Sequence, residues 1–248
     1  MAAAAVFEKT GIRERFVSWN KERMFVREAG EPGTPAILLL HDFSTTSEVF
    51  VPLMELLSDR YRLVAPDLVG FGRSGRPSEA EFGYTFGRLG CYASTIMTED
   101  LGIESYAVYA QGSSGPVALG AFNEVKSEIS AMIMQSAAWS LDPFERLVAA
   151  KAEGAPTSGA VSRLLGFFRS KSWYFKDVWS HAIRSYELDV LVLQGERDDV
   201  IGGAEEGEMP ATLPHAKTVI FDAGHDVLTE RTSEIASEIH AFLSKLEP

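Results

Sequence analysis

The sequence predicts an α/β fold in which a mostly parallel, twisted sheet is flanked by helices. Short runs of apolar residues alternate along the chain with longer segments of helical periodicity. That alternation is typical of strands joined by helical crossovers, and therefore of a sheet wound on both faces. Because 46% of the 248 residues are hydrophobic, the chain suffices for one large core. We expect one domain over residues 1–248.

The predicted elements follow from the local hydrophobic pattern. Residues 15–19 and 23–28 alternate apolar and polar side chains, which predicts an antiparallel pair at one edge of the sheet. Continuous apolar runs predict strands buried on both faces at 35–40, 61–66, 106–110, 131–135, 190–193 and 218–221. Helical spacing predicts helices at 47–58, 83–101, 114–122 and 228–246.

One long segment, between residues 136 and 189, interrupts this alternation. It has no strand signal, and large apolar side chains cluster in it: Leu164, Leu165, Phe167, Phe168, Trp173, Tyr174, Phe175 and Trp179. We expect a small helical lid at about 138–186 over the carboxyl edge of the sheet, where such sheets bind ligands. The aromatic residues, with Trp139, indicate a pocket for a small apolar molecule. A long crossover helix pair is the simpler alternative.

The composition and net charge of the chain disfavour some classes of binding partner. A formal net charge of −12 disfavours nucleic acid and anionic membrane surfaces as partners. No apolar run approaches the roughly 18 residues of a spanning helix. The amino terminus lacks a basic segment, so we expect no signal peptide and a cytoplasmic location.

The sequence contains no motif for binding a cofactor or a metal. Cys91 is the single cysteine, which excludes an internal disulfide and a multi-cysteine metal site. No dinucleotide-binding fingerprint is present, because the Gly-rich loop at 70–75 lacks the required strand, helix and acidic partner. We therefore expect no cofactor. No feature of the sequence indicates the oligomeric state.

Four ordered motifs carry a family resemblance. They are LLLHDF at 38–43, VAPDLVGFGRS at 64–74, LVLQGERD at 191–198 and FDAGHDV at 221–227. With the strand–turn–helix sequence YAVYAQGSSGPVALG at 106–120, they resemble the α/β-hydrolase fold superfamily, in which nucleophile, acid and histidine follow in that order. The resemblance covers nearly the whole chain.

The resemblance places a sharp turn, the nucleophile elbow, after the strand at 106–110. The family pattern is small–x–nucleophile–x–small. Laid on this chain, it puts Gln111 before the tip, Gly112 at the nucleophile position and Ser114 at a small position. A nucleophilic Ser113 or Ser114 would require a shifted register, which stays an alternative. Gly112 suits the strained turn but has no side chain for chemistry.

The element that shapes the oxyanion hole also departs from the family. The resemblance implies Gly after His41, but this chain has Asp42, followed by Phe43. A carboxylate beside the site opposes a developing oxyanion. We hypothesise that Asp42 occupies the space vacated at Gly112; alternatively it points outward or caps the next helix. The resemblance assigns Phe43 and the backbone N–H of Ser113 to the oxyanion region.

Two residues match the family's base and acid. His225, in the motif AGHD, is expected to face the pocket, and Asp198 is expected to orient its imidazole. Asp199 is the neighbouring alternative, but the spacing after Gly195 favours Asp198. His41 is interpreted as a structural histidine at a strand end.

These residues predict an enzyme that keeps a base without a serine nucleophile. A His225–Asp198 base is suited to hydrolysis of a small apolar ester or lactone by direct attack of water. Two alternatives stay open: a lyase, cyclase or cofactor-free oxygenase, and a pseudoenzyme or ligand-binding protein. A Gly112 substituted to trap a substrate is a third. The sequence does not name the substrate.

Overall fold

The sheet of this protein has eight strands in the residues that a computed structural model describes, which are 11–125, 128–137, 188–201 and 216–246. The spatial order is β1-β2-β4-β3-β5-β6-β7-β8. The strands are β1 (Arg13–Trp19), β2 (Glu22–Ala29), β3 (Ala36–Leu40), β4 (Arg62–Pro66), β5 (Tyr106–Gln111), β6 (Ile129–Gln135), β7 (Asp189–Gly195) and β8 (Lys217–Phe221).

Among the eight described strands, β2 alone runs opposite to the others. β1 pairs antiparallel with β2, and β2 pairs antiparallel with β4, whereas every pairing from β4 to β8 is parallel. The central strands are buried along their whole length, as continuous apolar runs require. The predicted α/β fold class is therefore confirmed. The carboxyl ends of β3 and β5 to β8 lie along one edge.

Helices cover both faces of the sheet. The described helices are α1 (Val51–Leu57), α2 (Glu79–Phe82), α3 (Phe86–Thr95), α4 (Gly115–Val125), α5 (Val227–Glu230) and α6 (Thr232–Leu243). On one face α3 packs against α4, and on the other α1 packs against α6. Alternate side chains of β3 to β7 enter two separate apolar clusters, with Leu38 in one and Leu39 in the other.

Three helical segments differ from the sequence prediction. The helix expected at 83–101 begins at Phe86, and residues Ile96–Asp100 form a π-helical turn. The short α2 was not predicted. The helix expected at 228–246 is broken at Arg231, whose φ of −134° is outside the helical range and separates α5 from α6. Arg231 donates hydrogen bonds to the Asp222 carbonyl there, an interaction that hydrophobic periodicity does not encode.

Two sequence predictions concern membrane-spanning helices and the lid. Of the helices described, none has the length and apolar content needed to cross a bilayer. The lid predicted at 138–186 and Trp139 lie outside the described residues, so both stay predictions.

Candidate active site

Gly112 forms the tip of the turn between β5 and α4. Its φ is 56°, in the left-handed region that favours glycine. A side chain built on Gly112 would place its Cβ 2.5 Å from Oδ2 and 3.0 Å from Cγ of Asp42. The Asp42 carboxylate therefore fills the space in which a side chain at the tip would begin.

Asp42 follows β3 and is buried, with 2% of its surface exposed. Its Oδ1 accepts a hydrogen bond from the Ser113 hydroxyl at 2.6 Å and another from the Ser44 N–H at 3.2 Å. Both of these bonds end on Oδ1. The other oxygen, Oδ2, faces the Gly112 tip. The carboxylate points inward to the elbow, and its contact with Ser44 is a turn within its own loop.

The hydroxyls of both elbow serines are engaged in the structure. Ser113 Oγ accepts from the Phe43 N–H at 2.9 Å while donating to Asp42. Ser114 Oγ contacts the carbonyl oxygens of Leu40 and Gln111 at 2.8 and 2.9 Å, so its proton is directed to backbone. Neither hydroxyl has a histidine as its described partner. Ser114 fastens the end of β3 to the turn.

Phe43 and Gln111 also lie at this edge of the sheet. The Phe43 ring stacks on Phe71 with centroids 4.9 Å apart, and its backbone N–H is taken by Ser113. Gln111 ends β5 and is 3% exposed. Its Oε1 is buried and has no hydrogen-bond donor among the described residues.

His225 and Asp198 form a hydrogen-bonded pair at the ends of β8 and β7. Nδ1 of His225 lies 3.0 Å from Oδ2 of Asp198. The Asp198 side chain is fully buried, and 9% of the His225 side chain is exposed. This geometry directs the Nδ1 proton at Asp198 and leaves Nε2 as the nitrogen able to accept a proton. Asp199, the alternative acid, is exposed.

Asp198 is held in its ionised form. Burial raises the pKa of Asp198, but the hydrogen bond and charge of His225, together with the Ile201 N–H, outweigh burial and lower the pKa below its usual range. Oδ1 accepts from the N–H groups of Val200 and Ile201, each at 3.0 Å. A fixed, charged carboxylate can orient the imidazole and stabilise its protonated form.

Gly195 allows the acid and histidine loops to meet. A Cβ at Gly195 would overlap the carbonyl oxygen of Gly224, directly before His225. The Arg197 N–H donates to the Ala223 carbonyl at 2.9 Å across the same contact. The Gly in LVLQGERD was a signal for this close approach, which requires a residue without a side chain.

Gln135 connects the dyad to the elbow, a role that sequence reasoning missed. It ends β6 and pairs in register with Gln111, directly before Gly112. Its Nε2 lies 3.4 Å from the His225 carbonyl oxygen, and its Oε1 accepts from the Tyr109 hydroxyl at 2.9 Å. No local motif marks this residue, because its role depends on side-chain direction at a strand end. The dyad and the Asp42–Gly112–Ser113 group thus share one sheet edge.

His41 is fully buried, and both ring nitrogens have partners. Nε2 accepts from the Leu68 N–H at 3.0 Å, so Nδ1 carries the proton and donates to the Asp42 carbonyl at 2.7 Å. Burial lowers the pKa of His41 despite the Asp42 carbonyl and nearby carboxylates. These bonds fix the loop that carries Asp42. Among the described residues, no group of three or more metal-binding side chains comes together.

Part of the chain is similar to proteins of a known family. A family model described as alpha/beta hydrolase fold matches residues 35–155. An uncharacterized hydrolase of Saccharomyces cerevisiae is 35% identical over 114 residues, covering 46% of this chain and 38% of that protein. Haloalkane dehalogenase 2 of Mycobacterium tuberculosis is 30% identical over 118 residues, covering 47% of this chain and 40% of that protein. The match spans about two fifths of these relatives' length.

A solved structure extends the likeness over the whole chain. The crystal structure of an esterase from a Rhodococcus species superposes with a TM-score of 0.70 at 20% identity. The superposition covers 96% of this chain and 100% of that one. At this identity the similarity concerns the fold.

Proposed function

We propose that this chain, which matches a family model of the alpha/beta hydrolase fold over residues 35–155, hydrolyses a small apolar ester or lactone with water activated by His225 and Asp198. No serine attacks the substrate in this mechanism. His225 Nε2 takes a proton from water as the water attacks, and Asp198 stabilises the imidazolium that forms.

The 3.0 Å contact between His225 Nδ1 and Asp198 Oδ2 carries this proposal. It sets the tautomer that leaves Nε2 as a base, and the lowered pKa of Asp198 keeps the carboxylate charged. A protein that only bound a ligand would not need an acid fixed by several donors beneath a partly accessible imidazole.

The elbow supports direct attack by water over a serine mechanism. Gly112 has no nucleophilic group, and the hydroxyls of Ser113 and Ser114 are bonded away from His225 in the described residues. The names of the relatives, which are a hydrolase, a dehalogenase and an esterase, favour an enzyme over a binding protein. Their own substrates are not transferred to this chain.

Hydrolysis of p-nitrophenyl butyrate and γ-butyrolactone tests the proposal. We expect turnover in the wild type without labelling by a fluorophosphonate probe. His225→Ala and Asp198→Asn should lower kcat on the order of 10²-fold or more, as loss of a general base does. Asp199→Asn, at the exposed neighbouring position, is the matched control and should retain activity.

Three results would contradict the proposal. Labelling of Ser113 or Ser114 by the probe would establish a serine nucleophile. Undiminished hydrolysis in His225→Ala would exclude the histidine as the base. No hydrolysis in the wild type would instead favour lyase-type chemistry or binding.

A further inference from the structure

Asp42 differs in its partners from the other buried carboxylates of the described residues. Four such carboxylates are present, and the other three are Glu28, Asp67 and Asp198. Each oxygen of those three lies within 3.5 Å of a described donor or cation. On Asp42, Oδ1 accepts from the Ser113 hydroxyl and the Ser44 N–H, whereas no described donor reaches Oδ2. One oxygen of a buried carboxylate is therefore left for an external donor.

The charge of Asp42 also lacks a cationic partner in the part of the chain that the structure describes. None of the ion pairs there includes this residue. The adjacent imidazole, His41, is neutral at pH 7, because burial lowers its pKa. A buried carboxylate that has only neutral donors is costly, and a cation beside it lowers that cost. The site around Asp42 therefore favours a positively charged ligand.

A ligand at the elbow can reach Oδ2 of Asp42. This oxygen faces the tip, where Gly112 has no side chain to cover it. It is not among the described side-chain oxygens that are both fully buried and without a partner, whereas Oε1 of Gln111 is. Gln135, which pairs with Gln111, contacts the His225 carbonyl oxygen on the same edge. A group bound to Oδ2 therefore lies on the sheet edge that carries the base.

Resting on the proposed hydrolysis by His225, we propose that Oδ2 of Asp42 binds an ammonium group of the substrate. The substrate class is then an ester that carries a protonated amine near its carbonyl and is apolar elsewhere. The ammonium donates to Oδ2 in a charge-assisted hydrogen bond, which is stronger than a bond between neutral groups. The formal net charge of −12 favours the approach of such a cation.

A bound ammonium also offsets the repulsion between Asp42 and the oxyanion of ester hydrolysis. A carboxylate at the elbow opposes the negative charge that develops on a substrate carbonyl oxygen. The Phe43 N–H, an expected oxyanion donor, is occupied by Ser113 Oγ at 2.9 Å. A cationic ester carries a positive charge into this region, whereas a neutral ester leaves the repulsion in place. Asp42 is therefore expected to favour the cationic ester and to disfavour the neutral one.

Two esters of the same shape test the substrate class. Methyl 3-aminobutanoate has an ammonium group where methyl 3-methylbutanoate has a methyl group. We expect the wild type to hydrolyse the amino ester with a kcat/KM higher on the order of 10²-fold, because the neutral ester leaves the carboxylate unpaired. Asp42→Asn keeps the size of the side chain and removes its charge. It should lower kcat/KM for the amino ester and raise it for the neutral ester.

The ratio of the two kcat/KM values in Asp42→Asn is the reference for the wild type, since an ammonium group also activates its own ester. Asp59→Asn is the matched control for net charge. Asp59 is exposed and precedes β4, at the edge of the sheet opposite the elbow, so this variant should keep the wild-type ratio. A ratio that is the same in Asp42→Asn and the wild type would overturn the inference and leave hydrolysis by His225 intact.

A binding measurement separates the inference from the proposed function. Calorimetry with n-butylammonium chloride, and with 1-butanol as its neutral counterpart, requires no turnover. We expect the wild type and His225→Ala to bind the ammonium on the order of tenfold more tightly than Asp42→Asn does. Such binding without hydrolysis of either ester would support the ammonium site and contradict the proposed function. Equal affinities of the wild type for the ammonium and the alcohol would overturn the inference, and this comparison requires no Asp42 variant.

Discussion

At the scale of single residues, the Asp42 carboxylate fills the space that a side chain at position 112 would need. A side chain at position 112 would meet Oδ2 of Asp42 at 2.5 Å and would have to adopt a φ of 56°. The absence of a side chain at one position therefore permits the carboxylate at the other. This coupling explains why the two departures from the family pattern occur together in one chain.

Gly112→Ser is expected to destabilise the protein by about 1–3 kcal/mol, because the new Cβ crowds Asp42 and the backbone is strained. It should gain no labelling by a fluorophosphonate. Asp42→Gly combined with Gly112→Ser removes the clash and should recover stability and gain labelling. Thermal unfolding of the single and double variants measures the coupling. Additive effects on stability would show that the two residues are independent.

At the scale of secondary-structure elements, helices α3 and α4 pack closely because glycines lie at their contact. A Cβ at Gly90 would lie 2.5 Å from the Val117 carbonyl oxygen and 2.6 Å from the Ala121 nitrogen. From the other side, a Cβ on Gly120 would lie 2.7 Å from the Gly87 nitrogen. This contact fixes α4, and therefore the turn that begins it at the elbow.

Gly90→Ala is expected to destabilise the protein by about 1–3 kcal/mol, although alanine is the better helix former. The reason is that the contacted atoms are backbone, which cannot move aside. Chemical denaturation measures the change, and Ser233→Ala, at an exposed position of α6, serves as the control. A Gly90→Ala variant as stable as the wild type would contradict close backbone packing of these helices.

Stability of the whole molecule depends on a histidine buried below the active-site edge. The pKa of His41 is lowered from 6.5 chiefly by burial, so the folded protein binds this proton less readily than the unfolded chain. The stabilisation is complete above pH 6.5 and is lost as the pH falls toward the lower folded pKa. Protonation would also remove the acceptor of the Leu68 N–H.

The free energy of unfolding is therefore expected to fall as the pH drops below about 6.5, by up to about 1.4 kcal/mol per pH unit from this proton. His41→Gln should be less stable at pH 7.5 and should show a weaker decline. Denaturation at several pH values checks this, with Ser233→Ala, at an exposed position of α6, as a control that keeps the wild-type slope. An unchanged slope in His41→Gln would contradict the assignment.

The sequence by itself predicted every described strand and most of the helices. Apolar runs such as AILLL have few alternatives to a buried strand, and the chain order of the motifs placed Asp198 and His225 at neighbouring strand ends. The family pattern, with Ala110 and Ser114 at its small positions, also predicted Gly112 at the elbow tip, with Ser113 and Ser114 as alternatives. These features depend on local patterns and on topology.

Only the tertiary structure decided which atoms meet. Asp42 and Ser113 are separated by 71 positions in sequence, and the parallel pairing of β3 with β5 brings the hydroxyl to Oδ1. The same applies to Gln135, whose contact with His225 spans 90 positions. Side-chain direction at a strand end depends on packing from distant segments. The sequence therefore determined the fold and the strand-end residues, whereas the tertiary structure alone decided that a carboxylate from another strand fills the elbow tip.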